Sequence, residues 1–527
     1  MPWRFLIGLW MFLVVVTSVP PILSWMQRPA GGQYTGNTVE SAGDVFNHLS
    51  LIDQARLGRV MLPILMVPAE RPVPSTFHPL FLVLGYFANA AHIPTLVMWH
   101  LARDVMILLF VILLWRFLDY AGFSNRMTKW LVFGITTTGG LFWVNHESSV
   151  FASLAYTPLG TATLSLTLGY FLLFLKNITQ SGTTWQRIAL LHLIALLQAM
   201  IHPYILPLWL GVALIFLLVR WMQTQRFHVG AFFLVISSIG LSYAYLAWSV
   251  YRDPVLRSFI GIFRVSGLRW EQALSYLVVL PLVVVGIIGK RTWLRSSPFG
   301  TFMLTWLTVN VLLLLSPYPY AGRTLITIYL PLGFFCALGF AVLWQHAATS
   351  RLRYSLLFII PPLLSANALQ ILVNATGSYV SAAPYRYLSG PAARGMLWIR
   401  ENLPSDATFV TSPAWDTLFA QASQRRAYFT SGGFTADYHQ RIATSLQIYH
   451  GEFSADGLRS FLRSYNIQYV LVSNLERKPP TWIIREGLHI PDDAAEFRFQ
   501  PSKYPFLSVV YDKDGFTIYH ITSTDLQ

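Results

Sequence analysis

The chain has 527 residues, of which 54% are hydrophobic and 11% are charged, and its mean hydropathy is +0.50. Soluble domains carry about 25% charged residues, so this composition excludes an ordinary soluble enzyme, and its hydrophobicity excludes a disordered chain. The single cysteine, Cys336, excludes a disulfide framework. The net charge is +14, and the Lys and Arg residues that cause it lie mostly between long apolar runs. We therefore expect a polytopic membrane protein with no nucleic-acid partner.

Runs of mostly apolar residues occur about eleven times, each close to the roughly 20 residues that cross a bilayer core of about 30 Å. The predicted spans are 4–25, 93–116, 129–145, 158–175, 187–201, 205–220, 229–250, 272–289, 298–316, 325–345 and 354–373. No small-residue cleavage site follows the first run, which indicates an uncleaved anchor. The short pair 187–201 and 205–220 leaves a re-entrant hairpin open as an alternative.

Basic residues predict the orientation, because cytoplasmic loops carry an excess of Lys and Arg. Alternate loops contain Arg116, Arg126, Lys129, Lys176, Arg187, Arg220, Arg226, Lys290, Arg291, Arg295, Arg351 and Arg353. We expect a cytoplasmic N-terminus, and an odd number of spans then places residues 374–527 on the outer side. A bacterial inner membrane is the predicted location.

One outer loop, 251–271, breaks this alternation with Arg252, Arg257, Arg264 and Arg269. These side chains either belong to an interfacial helix and extend towards lipid headgroups, or they form a cradle for an anionic lipid phosphate. Under the second alternative, Arg257 and Arg264 are candidate residues for binding the phosphate of a substrate.

Two segments are not predicted to cross the membrane. The long outer loop 26–92 contains apolar residues spaced by about three and four from Asp44 to Val60, which predicts an amphipathic helix lying on the membrane. From residue 374 onwards charge rises and the long apolar runs stop. In this segment we predict helices at 392–402 and 455–465, strands at 408–412 and 469–472, and a hairpin of 509–511 with 516–520. The predicted domains are therefore a transmembrane module, 1–373, and a soluble outer α/β domain, 374–527.

The acids and histidines near span ends gather on the predicted outer side, where ionisable groups are functional candidates. Asp44 stands in the first turn of the predicted helix and His48 follows one turn later on the same face. Asp44 either caps the helix or acts as a general base. His202 is either a helix-end residue or a substrate ligand. Arg323 lies between tyrosines in an outer loop and is suited to holding a phosphate.

A metal site is an open alternative. Asp44, His48, His146 and Glu147 could together bind a divalent cation through imidazole and carboxylate groups. No ligand spacing typical of a metal motif supports this, so we make no assignment of a metal. Arg103 and Asp104, inside the second span, are predicted to form an ion pair. A Walker loop, a dinucleotide fingerprint and a nucleophile elbow are all absent from the sequence, which disfavours an ATP-driven pump and a soluble-type hydrolase.

The order of segments resembles the GT-C superfamily of integral-membrane glycosyltransferases, in which a first span precedes a long outer loop with a catalytic acid. The local resemblance rests on Gly43-Asp44-x-x-x-His48-Leu49-x-x-Ile52, the stretch from Thr76 to Gly85, Gly322-Arg323-x-x-Ile326 and the segment from Met396 to Ala407. It covers nearly the whole chain, although each motif alone is weak. The resemblance implies a GT-C-like bundle with an extracytoplasmic C-terminal domain, acting in the cell envelope.

The resemblance also implies inverting transfer of a hexose or pentose from a polyprenyl-phosphate-linked donor. Asp44 matches the acid that deprotonates the acceptor, Glu147 lies where some members carry a further acid, and Arg323 matches a position suited to the donor phosphate. The sequence has no Trp-Trp-Asp-Tyr-Gly motif and no Asp-x-Asp in its second outer loop, so protein N-glycosylation is disfavoured.

Two other classes of function stay open. A transporter or flippase for a lipid-linked or anionic substrate predicts ionisable groups in mid-span and on both sides of the membrane, whereas here they gather on one side. A non-catalytic scaffold predicts that neutralising Asp44 has no effect.

Overall fold

A computed structural model describes residues 3–36, 42–68, 70–123, 126–138, 150–180, 184–252, 257, 279–318, 320–377, 387–430, 435, 437–477 and 497–522. The helices up to residue 252 are α1 (Trp3–Met26), α2 (Ala42–Arg56), α3 (Pro79–Ala90), α4 (Thr95–Tyr120), α5 (Arg126–Thr138), α6 (Val150–Tyr156), α7 (Pro158–Thr179), α8 (Trp185–Ile201), α9 (Leu206–Thr224) and α10 (Val229–Arg252). The later helices are α11 (Leu280–Gly289), α12 (Arg291–Ser296), α13 (Pro298–Leu315), α14 (Leu325–His346), α15 (Ser350–Gly377), α16 (Gly390–Asn402), α17 (Asp416–Ser423), α18 (Tyr438–Tyr449), α19 (Ala455–Ser464) and α20 (Asn474–Arg477).

The described strands are short in the first part of the chain and longer near its end. They are β1 (Gln33–Tyr34), β2 (Leu62–Pro63), β3 (Ser75–Thr76), β4 (Tyr387–Leu388), β5 (Thr408–Val410), β6 (Arg426–Ala427), β7 (Tyr469–Val472), β8 (Leu507–Lys513) and β9 (Phe516–Ile521). Short 3₁₀ turns precede α9 and α14, at Pro203–Ile205 and Ala321–Thr324.

All eleven predicted spans overlap a described helix, although parts of two of them, 139–145 and 272–278, lie outside the described residues. Seven of the described helices are long and apolar enough to cross a membrane: α1, α4, α7, α10, α13, and α9 and α14 with their preceding 3₁₀ turns. The predicted spans matching α8 and α11 coincide with shorter apolar helices. The chain is therefore a polytopic helical membrane protein, as its composition predicted.

Local sequence explains where several of these helices begin. Pro158 and Pro298 occupy the first turns of α7 and α13, where a missing N–H leaves no hydrogen bond unmade. The residue before each proline caps the helix: the Thr157 hydroxyl accepts from the Gly160 N–H at 3.0 Å, and the Ser297 hydroxyl from the Gly300 N–H at 3.3 Å.

The chain divides into two compact units, of which unit 1 comprises Met1–Val19 and His100–Asn374. Its core is rich in aromatic rings; Tyr170 stacks on Trp209 with ring centroids 4.6 Å apart, and both side chains are fully buried. Helices α11 and α14 approach so closely that a Cβ on Gly339 would lie 2.0 Å from the Leu282 carbonyl oxygen. Small residues permit such contacts between membrane helices.

Arg103 of α4 is almost completely buried in unit 1, with 1% of the residue exposed. Its guanidinium bonds Asp104 at 2.9 Å, which confirms the predicted ion pair. It also donates to the Thr17 carbonyl at 3.2 Å. Pro21 has no N–H, so this carbonyl of α1 has no donor four residues on, and Arg103 replaces the missing bond. A further bond at 3.4 Å reaches the Ala155 carbonyl, at the end of α6.

Unit 2 comprises Pro20–Trp99 and Ala375–Gln527. It contains a five-stranded sheet of order β6-β5-β7-β9-β8, in which β6, β5 and β7 are parallel and β7, β9 and β8 are antiparallel. The helices and strands predicted after residue 390 are confirmed, with ends shifted by a few residues, whereas α17 and α18 were not predicted. The division into domains 1–373 and 374–527 stays a prediction.

The structure corrects the prediction for α2. The helix exists, but it ends at Arg56, before Gly58, whose φ of 84° is left-handed. Of the apolar residues expected to face lipid, Val45, Leu49 and Ile52 are instead buried within unit 2, where α2 packs against α3 and α17, whereas Leu57 and Val60 lie beyond the helix and are exposed. Apolar spacing shows that a face is covered, but it does not distinguish a protein neighbour from lipid.

Candidate functional site

Asp44 and His48 lie one turn apart on α2. The Asp44 side chain is exposed in the first turn, where a negative charge also complements the helix dipole. The His48 ring lies between Phe81, at a centroid distance of 5.1 Å, and Trp99, at 5.6 Å and nearly parallel. The predicted pairing of an acid and an imidazole on one face is therefore present.

The environment of His48 fixes its protonation state. Burial lowers the pKa of His48 below its usual value, and the negative charge of Asp44 opposes this only in part. The imidazole is neutral at pH 7. Its Nδ1 is buried and has no hydrogen-bond partner among the described residues. A neutral ring with an unused nitrogen can exchange a hydrogen bond with a hydroxyl group of a substrate.

Asp53, further along α2, is a buried acid to which the sequence assigned no role. It accepts a hydrogen bond from Thr95 at 2.5 Å and from Gln424 at 3.4 Å, and its carboxylate lies 3.7 Å from Arg400. Burial raises the pKa of Asp53 despite the positive charge of Arg400. These contacts connect α2 to the first residue of α4 and to residues more than 340 positions later in the chain. Apolar periodicity does not predict contacts between residues so far apart.

In unit 1 the structure brings Arg323 and His202 into one aromatic cluster. The Arg323 guanidinium carbon lies 5.9 Å from the centre of the Tyr204 ring, and the His202 ring lies 6.1 Å from the same ring. Tyr204 also packs against Tyr320, with centroids 4.6 Å apart, and accepts a backbone hydrogen bond from the Tyr318 hydroxyl at 3.4 Å. Tyr204 lies in the 3₁₀ turn before α9, which His202 directly precedes, and Arg323 lies in the 3₁₀ turn before α14, which Tyr320 directly precedes. A guanidinium among tyrosines is suited to an anionic group.

The other predicted site residues are placed only in part. Arg257 is exposed, and His146, Glu147 and Arg264 lie outside the described residues. Within the described ranges, no group of three or more His, Cys, Asp or Glu side chains could hold a metal ion. Asp44 and His48 supply two donors, fewer than the three or four protein ligands of typical zinc sites. A divalent cation stays an open alternative.

No protein-family model matches the sequence, and no curated protein matches it significantly. Solved structures do match. The mycobacterial arabinofuranosyltransferase AftD has a TM-score of 0.58 and 14% identity over 98% of this chain, but the match covers only 40% of AftD. The oligosaccharyltransferase AglB from Archaeoglobus fulgidus, in complex with an inhibitory peptide and a dolichol-phosphate, has a TM-score of 0.52 and 10% identity, covering 98% of this chain and 75% of AglB.

ArnT from Cupriavidus metallidurans, bound to undecaprenyl phosphate, has a TM-score of 0.50 and 10% identity, and the match covers 99% of each chain. These three neighbours are GT-C glycosyltransferases. Identities this low report on the fold, and the agreement in order of segments extends over nearly the whole chain. The chain therefore has the GT-C fold of integral-membrane glycosyltransferases, as the sequence motifs suggested.

Proposed function

We propose that the protein is a glycosyltransferase that moves a sugar from a polyprenyl-phosphate-linked donor to an acceptor. The fold supports this proposal, and two of the similar structures hold dolichol-phosphate or undecaprenyl phosphate. The observation that carries it is an exposed carboxylate, Asp44, one helical turn from the neutral imidazole of His48. We further propose that transfer inverts the anomeric centre and occurs at the outer face of a bacterial inner membrane, with the C-terminal α/β domain on that side.

In this mechanism, Asp44 accepts the proton of the acceptor hydroxyl as its oxygen attacks the anomeric carbon. The new glycosidic bond forms while the bond to the polyprenyl phosphate oxygen breaks, and that oxygen leaves with the bonding electrons. A single carboxylate on the face opposite the leaving group is sufficient for inversion. His48 stays a candidate for binding the substrate, because its neutral ring lies one helical turn from Asp44.

Charge builds up on the departing phosphate, and a fixed guanidinium stabilises such charge. We assign this role to Arg323, whose guanidinium lies against Tyr204, with His202 in the same cluster. Arg257 and Arg264 stay candidates for contacts with the donor phosphate. Glu147 is the alternative base.

The test is sugar transfer by the purified, reconstituted protein with a panel of polyprenyl-phosphate sugars. Loss of a general base typically slows a reaction about 10²–10⁴-fold, and we expect a decrease of that size in Asp44→Asn. Asp456→Asn is the matched control, because Asp456 is also an exposed acid in the first turn of a helix. Arms with and without EDTA report on a divalent cation.

Equal turnover in wild type and Asp44→Asn would refute Asp44 as the base, and Glu147→Gln would then be the variant to assay. Arg323→Lys keeps the charge but removes the planar pair of donors, so we expect weaker donor binding, seen as a raised donor KM.

A further inference from the structure

Arginine side chains gather at the C-terminal end of α2 in unit 2. Arg59 donates to the Gln54 side-chain oxygen at 2.6 Å, and Gln54 in turn donates to the side chain of Gln424. Arg400 lies 3.7 Å from Asp53. Arg56, the last residue of α2, interacts electrostatically with the same carboxylate. Arg59 and Arg400 therefore belong to one network of contacts that runs through Gln54, Gln424 and Asp53, and Arg56 lies within electrostatic range of the same Asp53 carboxylate.

A fourth guanidinium lies beneath this surface. Arg425 is 6% exposed and donates to the carbonyl oxygens of Ile399, Arg400 and Leu403, at 3.3, 3.0 and 2.6 Å. These hydrogen bonds satisfy backbone carbonyl oxygens at the end of α16, so Arg425 has a structural role. Burial and the positive charge of Arg400 lower the pKa of Arg425, and the negative charge of Asp406 opposes this in part.

The negative charges in electrostatic contact with these arginines are fewer than their positive charges. Among the described residues, those negative charges belong to Asp53 and Asp406. Asp53 is buried, whereas Arg59 is exposed and Arg56 is partly exposed. The helix dipole accounts for a cation at Arg56, but Arg59 lies beyond the end of α2 and outside that explanation. The surface formed by Arg56, Arg59 and Arg400 therefore has an excess of positive charge.

The position of this surface identifies the source of a counter-anion. Asp53, which holds Arg400, also accepts a hydrogen bond from Thr95, the first residue of α4. Helix α4 is long and apolar enough to cross a membrane. The arginine surface is therefore linked through Asp53 to the residue at which α4 begins, and the ends of a helix of spanning length lie near the headgroup region of a bilayer. Arginine binds phosphate through paired N–H donors.

We propose that Arg56, Arg59 and Arg400 bind the phosphate of an anionic membrane lipid. This proposal concerns residues other than Arg323, to which we assigned the donor phosphate, and it does not depend on the proposed activity.

The test uses the full-length protein in phosphatidylcholine nanodiscs that contain a small fraction of phosphatidylglycerol with a photoreactive headgroup. After irradiation and digestion, mass spectrometry measures labelling of the peptides that contain residues 56–59 and 400. An arginine near anionic lipid contributes about 1 kcal/mol, equal to about a fivefold change in affinity. We expect Arg56→Gln/Arg59→Gln to reduce labelling of the 400 peptide by about fivefold for each arginine removed.

Two further variants make the result specific. Arg463→Gln/Lys503→Gln removes two charges from exposed positions of unit 2 and should leave labelling unchanged. Arg56→Lys/Arg59→Lys keeps the positive charge and should retain most of the labelling. This variant therefore separates loss of charge from loss of fold. Labelling that is unchanged in the glutamine variant overturns the proposal. Labelling abolished by millimolar inorganic phosphate, and not by unlabelled phosphatidylglycerol, overturns the lipid assignment in favour of a free phosphate.

Discussion

Replacing Arg103 with Met tests whether a buried guanidinium supports the proline-interrupted helix α1. The substitution keeps most of the side-chain volume but removes the bonds to the Thr17 and Ala155 carbonyls and to the Ser18 hydroxyl, the last at 2.7 Å. It also leaves Asp104 without its partner. Every one of these groups lies in unit 1, so the effect is expected on the stability of that unit.

The magnitude follows from the burial of the pair. Removing one member of a buried ion pair costs about 3–5 kcal/mol, because the remaining charge is left desolvated. The Asp104 side chain is 20% exposed and can recover some hydration, which favours the lower end, about 3 kcal/mol. Removing the remaining charge as well should restore part of the loss. Arg103→Met/Asp104→Asn is therefore expected to be more stable than Arg103→Met alone.

Equilibrium unfolding in mixed micelles, followed by tryptophan fluorescence, measures these differences. Arg116→Met is the matched control, since Arg116 is an exposed arginine of the same helix, and it should change the free energy of unfolding by less than about 0.5 kcal/mol. An Arg103→Met protein as stable as this control would refute the reasoning, and so would a double variant that is less stable than the single one.

Two further predictions concern the packing and protonation around α2. A Cβ on Gly85 would lie 2.4 Å from Ala55 Cβ and 2.7 Å from the Ile52 carbonyl oxygen. Gly85→Ala should therefore lower the free energy of unfolding by about 1–3 kcal/mol and lower the unfolding temperature. Gly240 has open space around it, so Gly240→Ala is the control and should leave the unfolding temperature unchanged. Burial lowers the pKa of His48 in the folded state, so its contribution to stability is present above pH ~6.5 and is lost as pH falls through the lowered value. The stability of wild type relative to His48→Phe should therefore fall between pH 7.5 and pH 5, and a constant difference would contradict this.

Hydropathy predicted most of the membrane-spanning helices, because the length of an apolar run is a local property of the sequence. Proline after a capping hydroxyl marks where α7 and α13 begin, and runs of about 20 apolar residues mark the membrane spans. Short runs of apolar and β-branched residues likewise located β7 and the hairpin of β8 and β9. Helices α17 and α18 were not predicted, and neither begins with a side-chain capping hydrogen bond that would mark its start.

The candidate site was less predictable, because its contacts join distant parts of the sequence. The i, i+4 spacing of Asp44 and His48 placed them correctly on one helix. The rings that enclose His48, by contrast, come from α3 and α4, and the partners of Asp53 include Gln424, 371 residues away. One sequence contains no signal for such pairs. His202 and Arg323 were singled out separately, and their shared neighbour Tyr204 emerged only from the structure.

The composition of unit 2 has a consequence for biosynthesis. Its two segments, Pro20–Trp99 and Ala375–Gln527, are separated by the 275 residues from 100 to 374. At about 5–20 residues per second, a ribosome needs roughly 14–55 s to translate that interval. Throughout this time the first segment lacks α17, the helix of the second segment that packs against α2. A chain that terminates within this interval would therefore lack α17, and the face of α2 against which α17 packs would stay uncovered.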